Sequence, residues 1–376
     1  MTFSNLGLIA PLTDALSRLG YKAPTKIQQE AIPVLLQGKD IFGCARTGTG
    51  KTASFALPVL QLLEENKGYE RKPVLKALVL APTRELAQQI SASFKDYGAN
   101  LSLQHTTVFG GVSQHAQVQA IRRGVDILVA TPGRLLDLVG QKVIRLDDIA
   151  FFILDEADRM LDMGFIHDIR KITGLLPENR QSAFFSATLT PEVMKLAGSM
   201  LNNPVSINVV PPANPAAAVQ QSVYYVKREN KRSLLKHVLN DPDIAHALVF
   251  TRTKRGADVV VRELNRSGIR ASAIHGNKSQ PAREKALDEF KNRKIRVLVA
   301  TDIASRGIDV DRISHVINFE LPEVAETYIH RIGRTARAGN AGIALSFCSA
   351  EEKLYLRDIS KLIRTNLDVV KVHPFI

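Results

Sequence analysis

Short apolar runs that alternate with helix-like stretches are the strongest constraint on how this chain can fold. Such runs are typical of strands buried on both faces, and the stretches between them are long enough for crossover helices. The alternation therefore predicts an α/β fold in which helices cover both faces of parallel sheets. The runs are Asp40–Cys44, Ala77–Ala81, Thr106–Phe109, Ile127–Ala130, Ala150–Leu154 and Ala183–Phe185, and then Val223–Val226, Ala247–Thr251, Ala271–Ile274, Arg296–Thr301, His315–Phe319 and Ile343–Phe347.

The alternation is interrupted once, which indicates two domains. Residues 209–218 are rich in Pro and Ala and carry no charge, so they are predicted to form a linker. A chain of 376 residues is also too long for one compact core. We therefore expect one domain over residues 1–208 and a second over residues 219–376, which closes with an amphipathic helix over Glu351–Leu367.

Basic charge is concentrated in the second half of the chain. The net charge is +13; residues 1–218 hold 22 Lys and Arg against 19 Asp and Glu, whereas residues 219–376 hold 28 against 18. This distribution favours a polyanionic partner such as nucleic acid, and a solubilising surface is the alternative. Cys44 and Cys348 lie in apolar runs without metal-ligand spacing, and no signal peptide or membrane-length apolar stretch is present, so we expect a cytoplasmic protein without membrane contact.

A glycine-rich loop, residues 45–52, follows the first apolar run. Gly48 and Gly50 allow backbone N–H groups to converge on an anion. Lys51 can reach the β- and γ-phosphates, and the hydroxyl of Thr52 can complete the coordination of Mg²⁺. The loop indicates a nucleoside triphosphate site, although the general pattern has Gly at the position of Ala45 and a glycine-rich turn before a core helix is the alternative.

Two acids directly follow the buried run Ala150–Leu154. The carboxyl end of such a strand is where α/β sheets carry their chemistry. Asp155 can hold Mg²⁺ through water, and Glu156 can orient or deprotonate an attacking water. Together with the phosphate loop, this pair predicts a nucleoside triphosphatase.

Six motifs follow one another along the chain: Ala45–Thr52, Pro82–Leu86, Thr131–Arg134, Asp155–Asp158, Ser186–Thr188 and His330–Arg337. Taken in this order, they resemble the DEAD-box RNA helicases of superfamily 2. In that family the first position of the loop is normally Ala, and the resemblance extends from Phe3 to about Phe347. It implies two tandem RecA-like domains, of which only the first has a phosphate loop, and the short termini resemble the bacterial RhlE-like subgroup.

The resemblance also implies which residues bind and hydrolyse ATP. Lys51, Asp155 and Glu156 would be catalytic, and Mg²⁺ would be held by Thr52 and Asp155, largely through water. Arg334 and Arg337 would act as arginine fingers; if they lie on a helix, their spacing puts them on one face. The nucleotide-binding residues that it implies are Phe3, Tyr21, Thr25, Gln28, Ala45, Arg46, Thr47, Gly48, Thr49, Gly50, Lys51, Thr52, Gly307 and Asp309.

A further set of residues matches the family's RNA contacts and its coupling network. Their chemistry suits a sugar-phosphate backbone rather than base edges, so RNA binding without sequence preference is expected. Asp158, Ser186, Thr188 and His330 would couple RNA binding to ATP hydrolysis. The implied RNA contacts are Pro82, Thr83, Arg84, Gly110, Gly111, Thr131, Gly133, Arg134, Arg252, Thr253, Gly276, Gln280, Arg283, Thr301 and Asp302.

The predicted activity is local unwinding of RNA duplexes, with ATP hydrolysis stimulated when RNA brings the two domains together. Two alternatives remain at this point: an ATP-gated RNA clamp or remodeller of RNA–protein complexes with little unwinding, and a DNA translocase. We expect a monomer whose possible protein partners act in ribosome assembly or RNA decay.

Overall fold

The apolar runs form strands, and several of these are buried along their whole length, as β2 (Ala77–Leu80) and β9 (Ala247–Phe250) show. The computed structural model describes residues 2–45, 48–68, 72–209, 219–302, 313–335 and 342–375. Within them the strands build two seven-stranded sheets in which every pairing is parallel. The chain divides into two units, Met1–Val210 and Pro211–Ile376, and the predicted linker lies outside the described residues except for residue 209.

In the first unit the strands lie side by side in the order β3-β4-β2-β5-β6-β1-β7. Neighbouring side chains of one strand enter different cores: Ile153 packs with the helices on one face, whereas Phe152 and Leu154 pack with those on the other. The strands are β1 (Ile41–Cys44), β2, β3 (His105–Val108), β4 (Ile127–Ala130), β5 (Phe151–Leu154), β6 (Gln181–Ser186) and β7 (Val205–Asn208). The helices are α1 (Ala10–Arg18), α2 (Lys26–Leu36), α3 (Lys51–Glu65), α4 (Arg84–Tyr97), α5 (His115–Arg123), α6 (Pro132–Gly140), α7 (Ala157–Asp162), α8 (Ile166–Thr173) and α9 (Pro191–Gly198).

The second unit repeats this order as β10-β11-β9-β12-β13-β8-β14. Its strands are β8 (Val219–Tyr225), β9, β10 (Ala271–Ile274), β11 (Val297–Ala300), β12 (His315–Asn318), β13 (Gly342–Cys348) and β14 (Asp368–Val369). Its described helices are α10 (Lys231–Leu239), α11 (Lys254–Arg266), α12 (Gln280–Lys291), α13 (Ala325–Ile332) and α14 (Lys353–Ile363).

The predicted α/β fold with two parallel sheets is thus confirmed, but two edge strands and the end of the last helix differ from the prediction. Strands β7 and β14 were not predicted, and the last helix ends at Ile363 rather than at Leu367. Among the described residues, no helix is both long enough and apolar enough to span a membrane.

Candidate functional site

Most predicted site residues of the first unit lie where its strands end, and the strand order divides these into two groups. The others, Phe3, Tyr21, Thr25 and Gln28, precede β1. Loops after the neighbouring strands β5, β6 and β1 carry the predicted ATP and coupling residues. Loops after β3, β4 and β2, on the other half of the sheet, carry the predicted RNA contacts. Because parallel strands place their carboxyl ends at one edge, the two groups are adjacent.

The phosphate loop ends in a residue that only glycine suits. Gly50 has a φ of +92°, and a Cβ added there would lie 2.3 Å from the Nε2 atom of Gln28. That Nε2 atom donates to the carbonyl of Gly50 at 3.1 Å, while Oε1 of Gln28 accepts from the backbone N–H of Thr25 at 2.9 Å. The predicted adenine-reading segment therefore contacts the phosphate loop directly. Arg46 and Thr47 lie outside the described residues.

Lys51, the first residue of α3, has a buried ammonium group that makes no hydrogen bond to any described residue. Its Nζ atom lies 3.8 Å from Oδ1 of Asp155, which is also buried. Burial raises the pKa of Asp155 to about 6; Lys51 acts in the opposite direction, and the neighbouring Glu156 adds to the rise. The buried ammonium of Lys51, which lacks a hydrogen bond to any described residue, is suited to bind a phosphate. The carboxylate of Asp155 is costly to ionise by itself, so it is suited to bind a divalent cation.

Asp155 and Thr52 are the protein groups that would hold Mg²⁺. Thr52 follows Lys51 in the first turn of α3. Within the described residues no cluster of three or more His, Cys, Asp or Glu side chains could hold a metal ion. The remaining ligands would therefore come from phosphate oxygens and water, as Mg²⁺ sites commonly have them.

Glu156 is buried and has a backbone conformation that is rare for its residue type. Its φ is +55° and its ψ +50°, the left-handed region that a residue with a Cβ seldom occupies. The conformation turns the chain between β5 and α7, and Oδ1 of Asp155 accepts the N–H of Glu156 at 2.9 Å. Such strain persists only where the surroundings hold it, and it is concentrated at functional sites.

The aromatic residues predicted at the nucleotide base are in contact. The ring centroids of Phe3 and Tyr21 are 6.2 Å apart at an interplanar angle of 78°. Tyr21 is 40% exposed, so part of its ring remains open to a ligand. Edge-to-face packing fixes the plane of an aromatic ring, which suits it to stack on a base.

The residues predicted to form the first-unit part of the coupling network lie close together. Oδ2 of Asp158 accepts the backbone N–H of Ala187 at 3.1 Å. The hydroxyl of Ser186 donates to the carbonyl of Thr188 at 2.9 Å and accepts its N–H at 3.2 Å. The hydrogen bond from Ala187 to Asp158 thus joins the acid-pair segment to the loop after β6.

The predicted RNA contacts of the first unit surround small residues at the ends of β2, β3 and β4. Gly111 has a φ of +75°, and a Cβ there would lie 2.1 Å from the guanidinium of Arg84. Nη2 of Arg134 donates to the carbonyl of Val112 at 3.2 Å. Pro82 and Thr83 follow β2, Gly110 and Gly111 follow β3, and Thr131 and Gly133 follow β4.

The second unit has its predicted RNA contacts at the corresponding strands. Arg252 and Thr253 follow β9, Gly276 follows β10, and Thr301 follows β11. Gln280 and Arg283 lie on the first turn of α12, where both are buried. Thr253 caps α11 by accepting the N–H of Gly256 at 3.0 Å, as Thr83 caps α4 in the first unit.

Asp302 contacts an arginine of the last motif rather than lying open at the sheet edge. Its two carboxylate oxygens accept from Nε and Nη2 of Arg331 at 2.6 and 2.8 Å. Arg331 is 1% exposed and also donates to Oδ1 of Asn318 at 3.1 Å. This bidentate pair ties the predicted RNA loop after β11 to helix α13.

Arg334 lies beyond the end of that helix. Helix α13 ends at Ile332, and Arg334 is held in a turn by a hydrogen bond from its N–H to the carbonyl of Arg331 at 3.1 Å. The condition for Arg334 and Arg337 to share a helix face, that both lie on a helix, is therefore not met by Arg334, because Gly333 caps the helix first. Arg337, Gly307 and Asp309 lie outside the described residues.

Comparison with known proteins places this arrangement in a family. The sequence model of the DEAD/DEAH box helicases matches residues 25–196, and that of the helicase conserved C-terminal domain matches residues 230–339. RNA helicase CrhR of Synechocystis is 42% identical over 372 residues, which cover 99% of this chain and 74% of that protein. The chain belongs to the DEAD-box ATP-dependent RNA helicase family.

A solved structure of the family supports the same fold. Dbp5 of S. cerevisiae, in a structure bound to RNA and ADP BeF3, is 30% identical and superposes with a TM-score of 0.84, covering 98% of this chain and 95% of that one. The predicted tandem RecA-like domains are thereby confirmed for this DEAD-box protein.

Two residues of this DEAD-box site were missed from the sequence. Nη1 of Arg159 donates to Oε2 of Glu156 at 2.6 Å, and both side chains are buried. The hydroxyl groups of Tyr97 and Tyr21 are 3.0 Å apart, and the two ring centroids are 6.0 Å apart. The three-residue spacing from Glu156 to Arg159 on a helix could have indicated the first contact, whereas no local pattern indicates the second.

Proposed function

We propose that this protein binds RNA without sequence preference and uses ATP to separate short duplexes locally. The observation that carries the proposal is the division of the first sheet edge into an ATP half and an RNA half, with the RNA half repeated in the second unit. Relatives and structures that match this chain along nearly its whole length are named as RNA helicases or contain RNA.

In the proposed reaction Lys51 binds the β- and γ-phosphates, and Glu156 orients and accepts a proton from the attacking water. Mg²⁺, when held by Asp155 and Thr52, neutralises charge on the phosphates. Arg334 and Arg337 of the second unit stabilise the charge that develops on the transferred phosphoryl group. ATP hydrolysis then depends on groups from both units, so RNA that engages both stimulates it.

The test is ATP turnover with and without RNA, beside a single-stranded DNA of the same length. We expect stimulation by RNA and not by DNA, because a protein that contacts the 2′-hydroxyl distinguishes the two. Arg334→Ala and Arg337→Ala should each lose the stimulated rate by roughly 10³-fold or more. Arg357→Ala is the matched control, since that arginine is exposed on α14 and belongs to neither predicted site. Equal stimulation by DNA would contradict the proposal.

A strand-displacement assay separates unwinding from clamping. If the protein unwinds, ATP should release a labelled strand from a short RNA duplex at a rate that follows ATP turnover. Strong turnover without release would favour an ATP-gated clamp instead.

RNA affinity should fall as salt is raised. Each phosphate neutralised on a single strand contributes a slope of about −0.7 to a plot of log affinity against log salt concentration. Anisotropy titrations with a labelled oligouridylate over a range of KCl concentrations measure this slope. A flat response would mean that the excess of 28 basic over 18 acidic residues in the second half only solubilises the protein.

A further inference from the structure

A buried lysine–glutamate pair lies where the strands of the second sheet end. Lys231, the first residue of α10, is 2% exposed. Its Nζ atom donates to the carbonyl groups of Phe319 and Phe347, each at 2.9 Å, and to Oε2 of Glu352. All three protons of the ammonium group are therefore used within the protein.

Lys231 has the same place in the second unit as the phosphate-loop lysine has in the first. Each is the first residue of the helix that follows the sixth strand in the sheet order, β1 for Lys51 and β8 for Lys231. Within the described part of the chain the ammonium of Lys51 makes no hydrogen bond, whereas all three protons of the Lys231 ammonium are used. In the second unit the carboxylate of Glu352 thus supplies the anion that a phosphate would supply in the first.

Glu352 connects this lysine to three strand ends. It is 1% exposed, and its Oε2 atom also accepts from the backbone N–H and the hydroxyl of Ser349 at 3.0 and 3.1 Å. Its Oε1 atom accepts from the N–H of Leu321 at 3.2 Å and from Nη2 of Arg252 at 3.4 Å. With so many partners at fixed distances, the carboxylate has one orientation.

Arg252 is partly exposed and has three acidic neighbours that differ in burial. Its guanidinium lies 3.4 Å from Glu323 and 4.0 Å from Glu320, and these side chains are 66% and 18% exposed, against 2% for Glu352. An exposed acid contributes little to the orientation of an arginine, because water screens the pair and both side chains move. Glu320 accepts the backbone N–H of Arg252 at 2.8 Å and lies farther from the guanidinium than Glu352 does. The buried Glu352 is therefore the partner that can orient the Arg252 side chain.

We propose that Glu352, held in place by Lys231, is a positioning residue that orients Arg252 for contact with the RNA backbone. The inference rests on the proposed function, in which Arg252 contacts RNA. An arginine that is ordered before RNA arrives loses less side-chain entropy on binding. Glu352 itself touches no substrate in this assignment.

The test compares RNA affinity among variants of the full chain. Fluorescence anisotropy with a fluorescein-labelled oligouridylate and a non-hydrolysable ATP analogue gives the dissociation constant. Lys231→Met combined with Glu352→Leu removes both buried charges together, since removing one alone would leave the other unpaired. We expect this double variant and Arg252→Ala each to weaken RNA binding by about tenfold, roughly the value of one charge-assisted hydrogen bond.

The triple variant distinguishes positioning from a general structural effect. If Glu352 acts through Arg252, adding the double substitution to Arg252→Ala should cause no further loss of RNA affinity. Glu323→Gln, which alters the exposed neighbour of Arg252, should keep its RNA affinity within about twofold of wild type. Thermal unfolding confirms that each variant is folded.

Several outcomes would overturn the inference. Normal RNA binding by the folded double variant would do so, as would losses that add in the triple variant. If the double variant does not fold, Lys231→Gln with Glu352→Gln retains a donor and an acceptor at the same positions, and the same comparison applies to it. Failure of the wild-type protein to bind the oligouridylate would contradict the proposed function itself, and normal binding by Arg252→Ala would remove Arg252 from the RNA contacts.

Discussion

At the scale of single residues, Glu156 combines a rare backbone conformation with a buried ion pair. Its φ of +55° and the 2.6 Å hydrogen bond from Arg159 fix the carboxylate beside Asp155. Glu156→Gln preserves the shape of the side chain but cannot accept a proton. We expect ATP and RNA still to bind while kcat falls by roughly 10²- to 10⁴-fold, the usual contribution of a general base.

Single-turnover ATP hydrolysis and RNA anisotropy measure the two effects of Glu156→Gln separately. Glu192→Gln is the control, because Glu192 is exposed in the first turn of α9. Normal turnover in Glu156→Gln would contradict its assignment as the base.

Asp302 gives a second test at this scale, because its predicted role and its observed contacts differ. The carboxylate that was predicted to contact RNA accepts two hydrogen bonds from the buried Arg331. If the pair holds the segment that carries Arg334, Asp302→Asn should lower the RNA-stimulated kcat by about tenfold or more through misplacement of that segment. A direct RNA contact predicts weaker RNA binding with kcat retained at saturating RNA. Asp358→Asn is the control, because the Asp358 side chain is exposed on α14.

At the scale of elements, the end of the phosphate loop depends on one glycine. Gly50→Ala would force a residue with a Cβ to a φ of +92° and place that Cβ 2.3 Å from Gln28. The strained backbone alone costs about 1–3 kcal/mol, and the displaced Gln28 should in addition raise the KM for ATP. Gly164→Ala has a φ of +80° with no described atom within 4 Å of the added Cβ, so it should lower the melting temperature without changing the KM. Equal KM values for the two variants would contradict the contact between Gln28 and the loop.

The elements that sequence reasoning missed are those with the least local signal. Strand β7 exposes two of its four residues, and β14 has only two residues, both exposed. Each is an edge strand added by pairing with β1 or β8, so its existence depends on the neighbour rather than on its own apolar pattern. The last helix ends early because Arg364 adopts a φ of +55°, after which the chain turns to form β14.

At the scale of the whole molecule, each unit contains one buried cysteine, which makes the two units separately observable. Burial raises the pKa of Cys44, and it raises the pKa of Cys348 to about 11. The two thiols therefore hold their protons more tightly in the native state than in the unfolded state. The free energy of unfolding should fall as the pH rises above about 8.5, which is the pKa of an exposed thiol. At pH 8 both thiols should react slowly with thiol reagents, and only when their unit opens.

Cys44→Ala leaves only Cys348 to react, and Cys348→Ala leaves only Cys44. The rate of thiol labelling in each variant therefore measures the opening of one unit. ATP analogue with Mg²⁺ should slow the labelling of Cys44, which precedes the phosphate loop, because a ligand that binds the native state stabilises it by mass action. Without RNA, Cys348 should be unaffected. Rapid labelling of the native protein would contradict the claim that the thiols react only when their unit opens. Equal protection of both thiols would contradict the claim that the ATP analogue stabilises the first unit alone.

The sequence by itself determined the fold class, the strand alternation, the phosphate loop and the acid pair. These features are local, since a glycine, a lysine or a run of apolar residues has the same physical meaning wherever the chain goes next. Only the tertiary structure decided which strands are neighbours, and hence that the predicted ATP and RNA residues occupy adjacent halves of one sheet edge. It also paired Tyr21 with Tyr97 and Lys231 with Glu352, which are 76 and 121 residues apart. Buried polar groups must find partners, and no local pattern says which distant residue the fold will bring to them.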